Sequence, residues 1–237
     1  MKWIRFFPLL FLATLLAQTK VYAQTHVNTW FRLSVQANLS EKVRGDLELQ
    51  HRRQNIPDHD YPLRAGLMYA VRPWILYQWS KGVELGFSPL AWFRHNSIII
   101  NAADVYNKPK QEYRTTLGIT IREQPFDKLV LFERNALEYR MFVDAPDVLR
   151  VRLKPGLQCR LPNHLSITLY DEVLLNVLGV TTAHIYDHNR IAGSLGCQCS
   201  KQVYVEAGYV RISRLPASNA ALLQESNLVL NASYRIR

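Results

Sequence analysis

The sequence predicts an all-β protein, an antiparallel up-and-down transmembrane β-barrel of ten to twelve strands. Three observations carry that reading. Apolar and polar residues alternate with period two from end to end, the connections between alternating segments are by turns short and long, and the polar face is charged rather than merely hydrophilic. The alternation is clear from the first segment, where Phe31, Leu33, Val35, Ala37 and Leu39 interleave with Arg32, Ser34, Gln36 and Asn38. It continues in residues 42–52, where Val43, Leu47 and Leu49 oppose Arg44, Asp46, Glu48, Gln50 and Arg52. The same pattern runs through 61–72, 81–94, 110–122, 128–141, 148–160, 165–175, 188–200, 202–213 and 226–236. That makes eleven candidate strands. Single-chain bacterial barrels have even counts, so either a twelfth strand is hidden or the first segment lies outside the wall, giving ten.

Short connections fall near Ser40-Glu41, at 73–80, 123–127 and 161–164, and around Lys201. Longer ones occupy 55–60, 95–109, 142–147, 176–187 and 214–225, the asymmetry of a barrel with tight turns at one rim and loops at the other. Trp30, Trp74, Tyr77, Trp79, Trp92, Phe93, Tyr113, Tyr139 and Tyr209 sit near strand ends, consistent with aromatic girdles. A soluble periplasmic barrel or sandwich also alternates with period two. The distribution of charge separates the two, because an apolar outer face with an ion-rich inner one suits a lipid-facing wall.

Residues 1–23 read as a cleaved secretory signal peptide: Lys2 and Arg5 precede the apolar run 6–17, and Val21 and Ala23 supply a cleavage site. Residues 24–237 then form a single barrel domain, placed by export in the outer membrane of a Gram-negative bacterium. The chain carries a formal charge of +10, and 20 of its 29 basic residues are Arg. That bias favours cations held in planar, partly dehydrated pairs over a nucleic-acid surface. Cys159, Cys197 and Cys199 make an odd set without framework or zinc spacing, and the histidines show no metal-ligand pattern, so no cofactor or metal is expected.

The charged face gathers Glu48, Arg52, Glu112, Arg114, Arg134, Glu138, Arg140, Arg150, Arg152, Glu172, Arg190 and Glu206. In a narrow lumen such groups must pair, since an unpaired buried charge is very costly. Glycines 66, 86, 118, 156, 196 and 208 share the face, and are read as gaps across which guanidinium groups lie. Asp187, Asn189 and Arg190 are read as an anchor at the barrel mouth, with Glu172 and Glu206 as candidate partners of Arg190. Arg134-x-x-x-Glu138-x-Arg140, Arg150-x-Arg152, Glu172 and Asp187-x-Asn189-Arg190, in that order, resemble an uncharacterised Gram-negative outer-membrane family, domain of unknown function 2490. The resemblance runs from Trp30 to the last strand and implies an outer-membrane barrel without an established activity. It also implies glutamine where this chain has His188.

The function expected from these features is an envelope-structural role or passage of small solutes or anions, with outer-membrane lipid as the surrounding partner. An outer-membrane lipid hydrolase or acyltransferase is the catalytic alternative. His164 and Ser166 stand two residues apart, with Glu172 or Asn176 as a third member, which is the composition of a nucleophile, its base and an orienting group.

Overall fold

Strand after strand, the side-chain alternation decides which face turns inward, and the wall closes on itself. The computed structural model describes residues 25–56, 63–99, 101–216 and 222–236; the expected signal peptide lies outside them. Among the described residues there are twelve strand segments: β1 (Thr25–Asn38), β2 (Val43–Gln54), β3 (Ala65–Ser80), β4 (Val83–His95), β5 (Lys110–Phe126), β6 (Leu129–Phe142), β7 (Val148–Leu153), β8 (Pro155–Arg160), β9 (Leu165–Leu178), β10 (Tyr186–Gln198), β11 (Val203–Arg214) and β12 (Leu223–Arg235). Segments β7 and β8 are successive halves of one wall strand, since both lie between β6 and β9. Lys154 interrupts them, yet its carbonyl still accepts from the Arg134 amide at 2.9 Å. The wall therefore has eleven positions rather than ten or twelve. An odd up-and-down wall brings its first and last strands together pointing the same way, and β1 and β12 pair in parallel from Thr25–Gln224 to Gln36–Arg235. All other pairings are antiparallel.

Local chemistry explains the turns. Ser40 Oγ accepts from the amides of Lys42 and Val43 at 3.3 and 3.1 Å, and Ser200 Oγ repeats the device with Gln202 and Val203 at 3.2 and 3.1 Å. Gly82 takes φ +84 in the β3–β4 turn, where a Cβ would collide with the Arg122 carbonyl. The expected connection at 73–80 is instead the second half of β3. Pro73 lies where the β3–β4 register shifts, between Val71 and Ile75, so its missing N–H falls on an irregularity rather than ending the strand.

The exterior is apolar. Phe31, Leu33, Leu47, Leu49, Val71, Ile75, Phe87, Leu117, Leu137, Ile167, Leu169, Leu195, Leu228 and Leu230 are all exposed there. Exposed aromatics flank this band on both sides: Tyr77, Trp79, Phe126 and Tyr234 towards the short turns, Tyr69, Tyr113, Tyr139 and Tyr209 towards the loops. Three of the aromatics assigned to girdles turn inward instead: Trp30 and Trp74 occupy the lumen parity of their strands, and Phe93 follows the β4 register shift between Ser88 and Ala91 to lie beneath Arg114.

None of the six glycine gaps holds a guanidinium group: Gly66, Gly86, Gly156 and Gly196 face aromatic rings, while Gly118 and Gly208 lie against neighbouring backbone and the small side chains Ala136 and Ser194. A Cβ on Gly156 would overlap the Phe132 ring and approach the Leu169 carbonyl to 2.8 Å, and one on Gly196 would meet the Tyr204 hydroxyl. Parallel closure gives a direct test. With the native cysteines replaced by Ser, Leu33→Cys combined with Ala232→Cys should cross-link through a short bifunctional reagent in the folded barrel. Val27→Cys with Ala232→Cys should not, and the reverse outcome on gel electrophoresis would exclude the parallel seam.

Candidate functional site: an ion-paired septum over a cationic chamber

Glu138 on β6 is the centre of the lumen. Its carboxylate is fully buried and accepts from four arginines: Arg150 at 2.9 and 2.5 Å, Arg152 at 2.8 Å, and Arg114 and Arg72 each at 3.4 Å. These arginines stand on β7, β5 and β3, so one carboxylate ties the wall together across the lumen. Glu112, also fully buried, takes a bidentate pair from Arg140 at 2.8 and 2.9 Å, Arg114 Nε at 2.7 Å and His95 Nε2 at 3.1 Å. Glu172 accepts from Arg152 and, at 2.9 Å, from Arg190 Nη1. Glu112, Glu138 and Glu172 thus form one network through shared guanidinium groups, each carboxylate meeting forked donors whose geometry fixes strand register.

Asp187 joins the network through a backbone irregularity. The β9–β10 register shifts between Tyr186 and His188, so Asp187 is an extra residue whose side chain turns inward beside that of His188. It accepts from Arg150 Nη1 at 2.8 Å and lies 3.1 Å from His188 Nδ1. The expected mouth anchor is thereby split between two faces. Asp187 and Arg190 point into the lumen, whereas Asn189 points outward and donates to Asp171. Asp171 is a carboxylate on the exterior face of β9, 5% exposed. Of the two candidate partners of Arg190, Glu172 binds it, while Glu206 accepts from Asn231 at 2.6 Å and Tyr204 at 3.3 Å.

The half of the lumen nearer the loops is filled. Asn28, Gln54, Met68, Phe93, Glu112, Glu138, Arg150, Leu174, His188, Ile212 and Glu225 supply one residue from each wall position, each 4% exposed or less. Four of these are apolar, so the lumen is not uniformly polar. Glu225 is absent from the residues expected at the site, because the last strand begins three residues earlier than its alternation alone suggests. It accepts from Arg214 at 2.8 Å and Asn28 at 3.2 Å.

Below this septum, towards the short turns, a cavity of about 240 Å³ remains. Nine basic side chains line it against three acidic ones, Glu48, Glu172 and Glu206. Arg52 lies on the Trp30 ring at 3.7 Å and donates to Gln50 at 3.1 Å, Arg134 lies 5.3 Å from the Trp74 ring, and the Lys154 ammonium sits 3.5 Å from the centre of Tyr170. Among the described residues none of these three cations has a carboxylate within ion-pair distance. Glu48 instead accepts from Gln50 and lies 3.8 Å from Arg32.

The arrangement for acyl transfer does not form. His164 sits in the β8–β9 turn with φ 62 and is exposed, while Ser166 points into the lumen, 3.5 Å from the Tyr204 hydroxyl. Residues i and i+2 share a face only when both are extended, and the left-handed turn removes His164 from that register.

Replacing Glu138 by Gln should destabilise the folded barrel by about 3–5 kcal/mol, because four buried guanidinium groups lose their shared charge. Asn189→Ala should cost about 1–3 kcal/mol by leaving the Asp171 carboxylate without its donor. Both are read from urea midpoints of heat-modifiable mobility on gels, and wild-type midpoints would contradict the assigned pairings.

A family described as "Protein of unknown function (DUF2490)" matches residues 27–220. No curated protein matches the chain. Among solved structures, an anion-selective porin from Comamonas acidovorans is similar, with a TM-score of 0.36 and 9% identity over 80% of this chain. The match spans 55% of the porin chain. With an eleven-position barrel in place and most of its length matched by the family, the chain belongs to the DUF2490 family.

Proposed function

We propose that the protein is an outer-membrane β-barrel with an envelope-structural role, exported by residues 1–23, whose lumen is sealed rather than open. One observation carries the reading: all eleven wall positions contribute a side chain exposed by 4% or less to the loop-side half of the lumen. An eleven-strand wall is wider than the eight-strand barrels that side chains just fill, and far narrower than porins that leave a channel. Here the extra width is taken up by long, ion-paired arginines.

The exterior supports a membrane setting. A band of exposed aliphatic residues between two sets of exposed aromatics is what a lipid-facing wall requires, and far exceeds the apolar patches of soluble monomers. With the short turns on the periplasmic side, as in barrels of this kind, the septum lies towards the cell exterior and the cationic chamber towards the periplasm.

A sealed lumen predicts electrical silence. The purified protein in planar bilayers should give no conductance steps above background across a range of voltages. Combined Glu138→Ala and Arg150→Ala substitution should introduce conductance by removing the septum's central pair. Steady ohmic conductance in the wild type would overturn the sealed reading.

A further inference from the structure

We infer that the chamber beneath the septum is a binding site for a small oxyanion of two or more charges, a phosphate group being the best fit. The inference rests on the sealed-lumen reading only in treating the chamber as a site rather than a stretch of open channel.

Charge imbalance is the first argument. Of the three carboxylates in the chamber, Glu172 holds Arg152 and Arg190, Glu48 accepts from Gln50 and lies 3.8 Å from Arg32, and Glu206 accepts from the neutral Asn231 and Tyr204, so three carboxylates stand against nine basic side chains. Arg52, Arg134 and Lys154 line the same cavity without a carboxylate. Enclosed cations without a counter-charge are unfavourable, and an anion in the chamber would answer all three together.

The geometry of the cations is the second. Arg52 and Arg190 approach the same Trp30 ring, at 3.7 and 5.5 Å, so two guanidinium groups are held on one rigid aromatic plate despite their like charge. Lys154 is held the same way on Tyr170. An aromatic face fixes a cation's position but is only a weak acceptor for its N–H groups, leaving them able to bind a stronger one. Consistent with that, Arg52 Nε and Arg190 Nε are both buried without a hydrogen-bond partner. Forked guanidinium donors and a point-like ammonium around one cavity are the donor set that phosphate oxygens use.

Size is the third. A chamber of about 240 Å³ takes a phosphate group with several waters, since a water occupies roughly 30 Å³.

The phosphate is either free or carried on a lipid headgroup, and calorimetry separates the two. The full-length mature protein, in detergent and a buffer free of oxyanions, is titrated with inorganic phosphate, dihexanoyl phosphatidic acid and chloride, while the fluorescence of Trp30 is followed in a variant whose Trp74, Trp79 and Trp92 are replaced by Phe. Saturable phosphate binding with a change in that fluorescence supports a free oxyanion. Binding of the phosphatidic acid alone supports a lipid-borne phosphate. Arg134→Gln and Lys154→Gln should each weaken binding roughly tenfold or more, about 1.4 kcal/mol. Both should keep wild-type heat-modifiability, because neither side chain is part of an ion pair. Arg52→Gln provides a further variant if either misfolds.

Binding of neither phosphate compound, binding unaffected in all folded variants, or chloride competing as strongly as phosphate would each overturn the inference. Conductance separates this site from the sealed-lumen reading. A conducting barrel that still binds phosphate refutes the seal alone, and a silent barrel that binds nothing refutes the site alone.

Discussion

A carboxylate removed from water must be given charge and hydrogen bonds in return, and in this barrel Glu138 imposes that requirement on everything around it. Four guanidinium groups meet it from three strands, and each needs further acceptors for its remaining donors. Arg114 finds Glu112, Arg152 finds Glu172, and Arg150 finds Asp187. The last pairing depends on the β10 irregularity, because strict alternation would turn Asp187 outward. The bulge is therefore part of the electrostatic arrangement, placing a further carboxylate within reach of a buried cation. Replacing a buried ionic network with apolar residues of equal volume is often neutral or stabilising. What the charged version supplies is register, since forked pairs form at one alignment of neighbouring strands and fail at others.

Filling the lumen also needs groups that are not charged. Aromatic rings occupy the space left by glycines, Phe132 over Gly156 and Tyr204 over Gly196. Indoles serve as plates for arginines, Trp30 beneath Arg52 and Trp74 beneath Arg72. An inner wall made only of Arg and Glu would leave gaps between the charges, and water in those gaps would weaken every pair. Phe93, Leu174 and Ile212 exclude that water around the septum.

The barrel and its two faces are legible in the sequence because period two is a direct consequence of strand geometry. So are the residue types of the lumen network, since Arg and Glu sharing one parity opposite an apolar one must turn inward and pair. The parity of the strand count is not legible. An even number is a regularity of related barrels, whereas the pairing of the first strand with the last is decided by nothing local to either. Pro73 reads as a terminator when only its missing donor is considered, and the register shift that tolerates it involves a second strand. Trp30 reads as an interfacial anchor by type and by position near a strand end, yet its parity matches Arg32, and parity decides. Asp187 and Asn189 read together as one anchor at the mouth, but one inserted residue separates their faces. A single sequence does not mark which residue of a strand is the extra one.

The parallel pairing of β1 with β12 has a consequence for assembly. Hydrogen bonds at that seam join residues about 200 positions apart, as in Asn28 with Glu225 and Asn227. Closing so long a loop costs about 5 kcal/mol of chain entropy in the ideal-chain estimate. Every other junction in the wall is made between strands that follow one another, so the seam is the one step whose partners must meet without a connecting turn to align them. Two strands running the same way can slide past each other by two residues and still match inner face to inner face. The buried amide and carboxylate groups of Asn28, Asn227 and Glu225 act against such slippage. They work as a latch, satisfied at one offset and left without partners at the next, so that the cylinder shuts once, in one alignment.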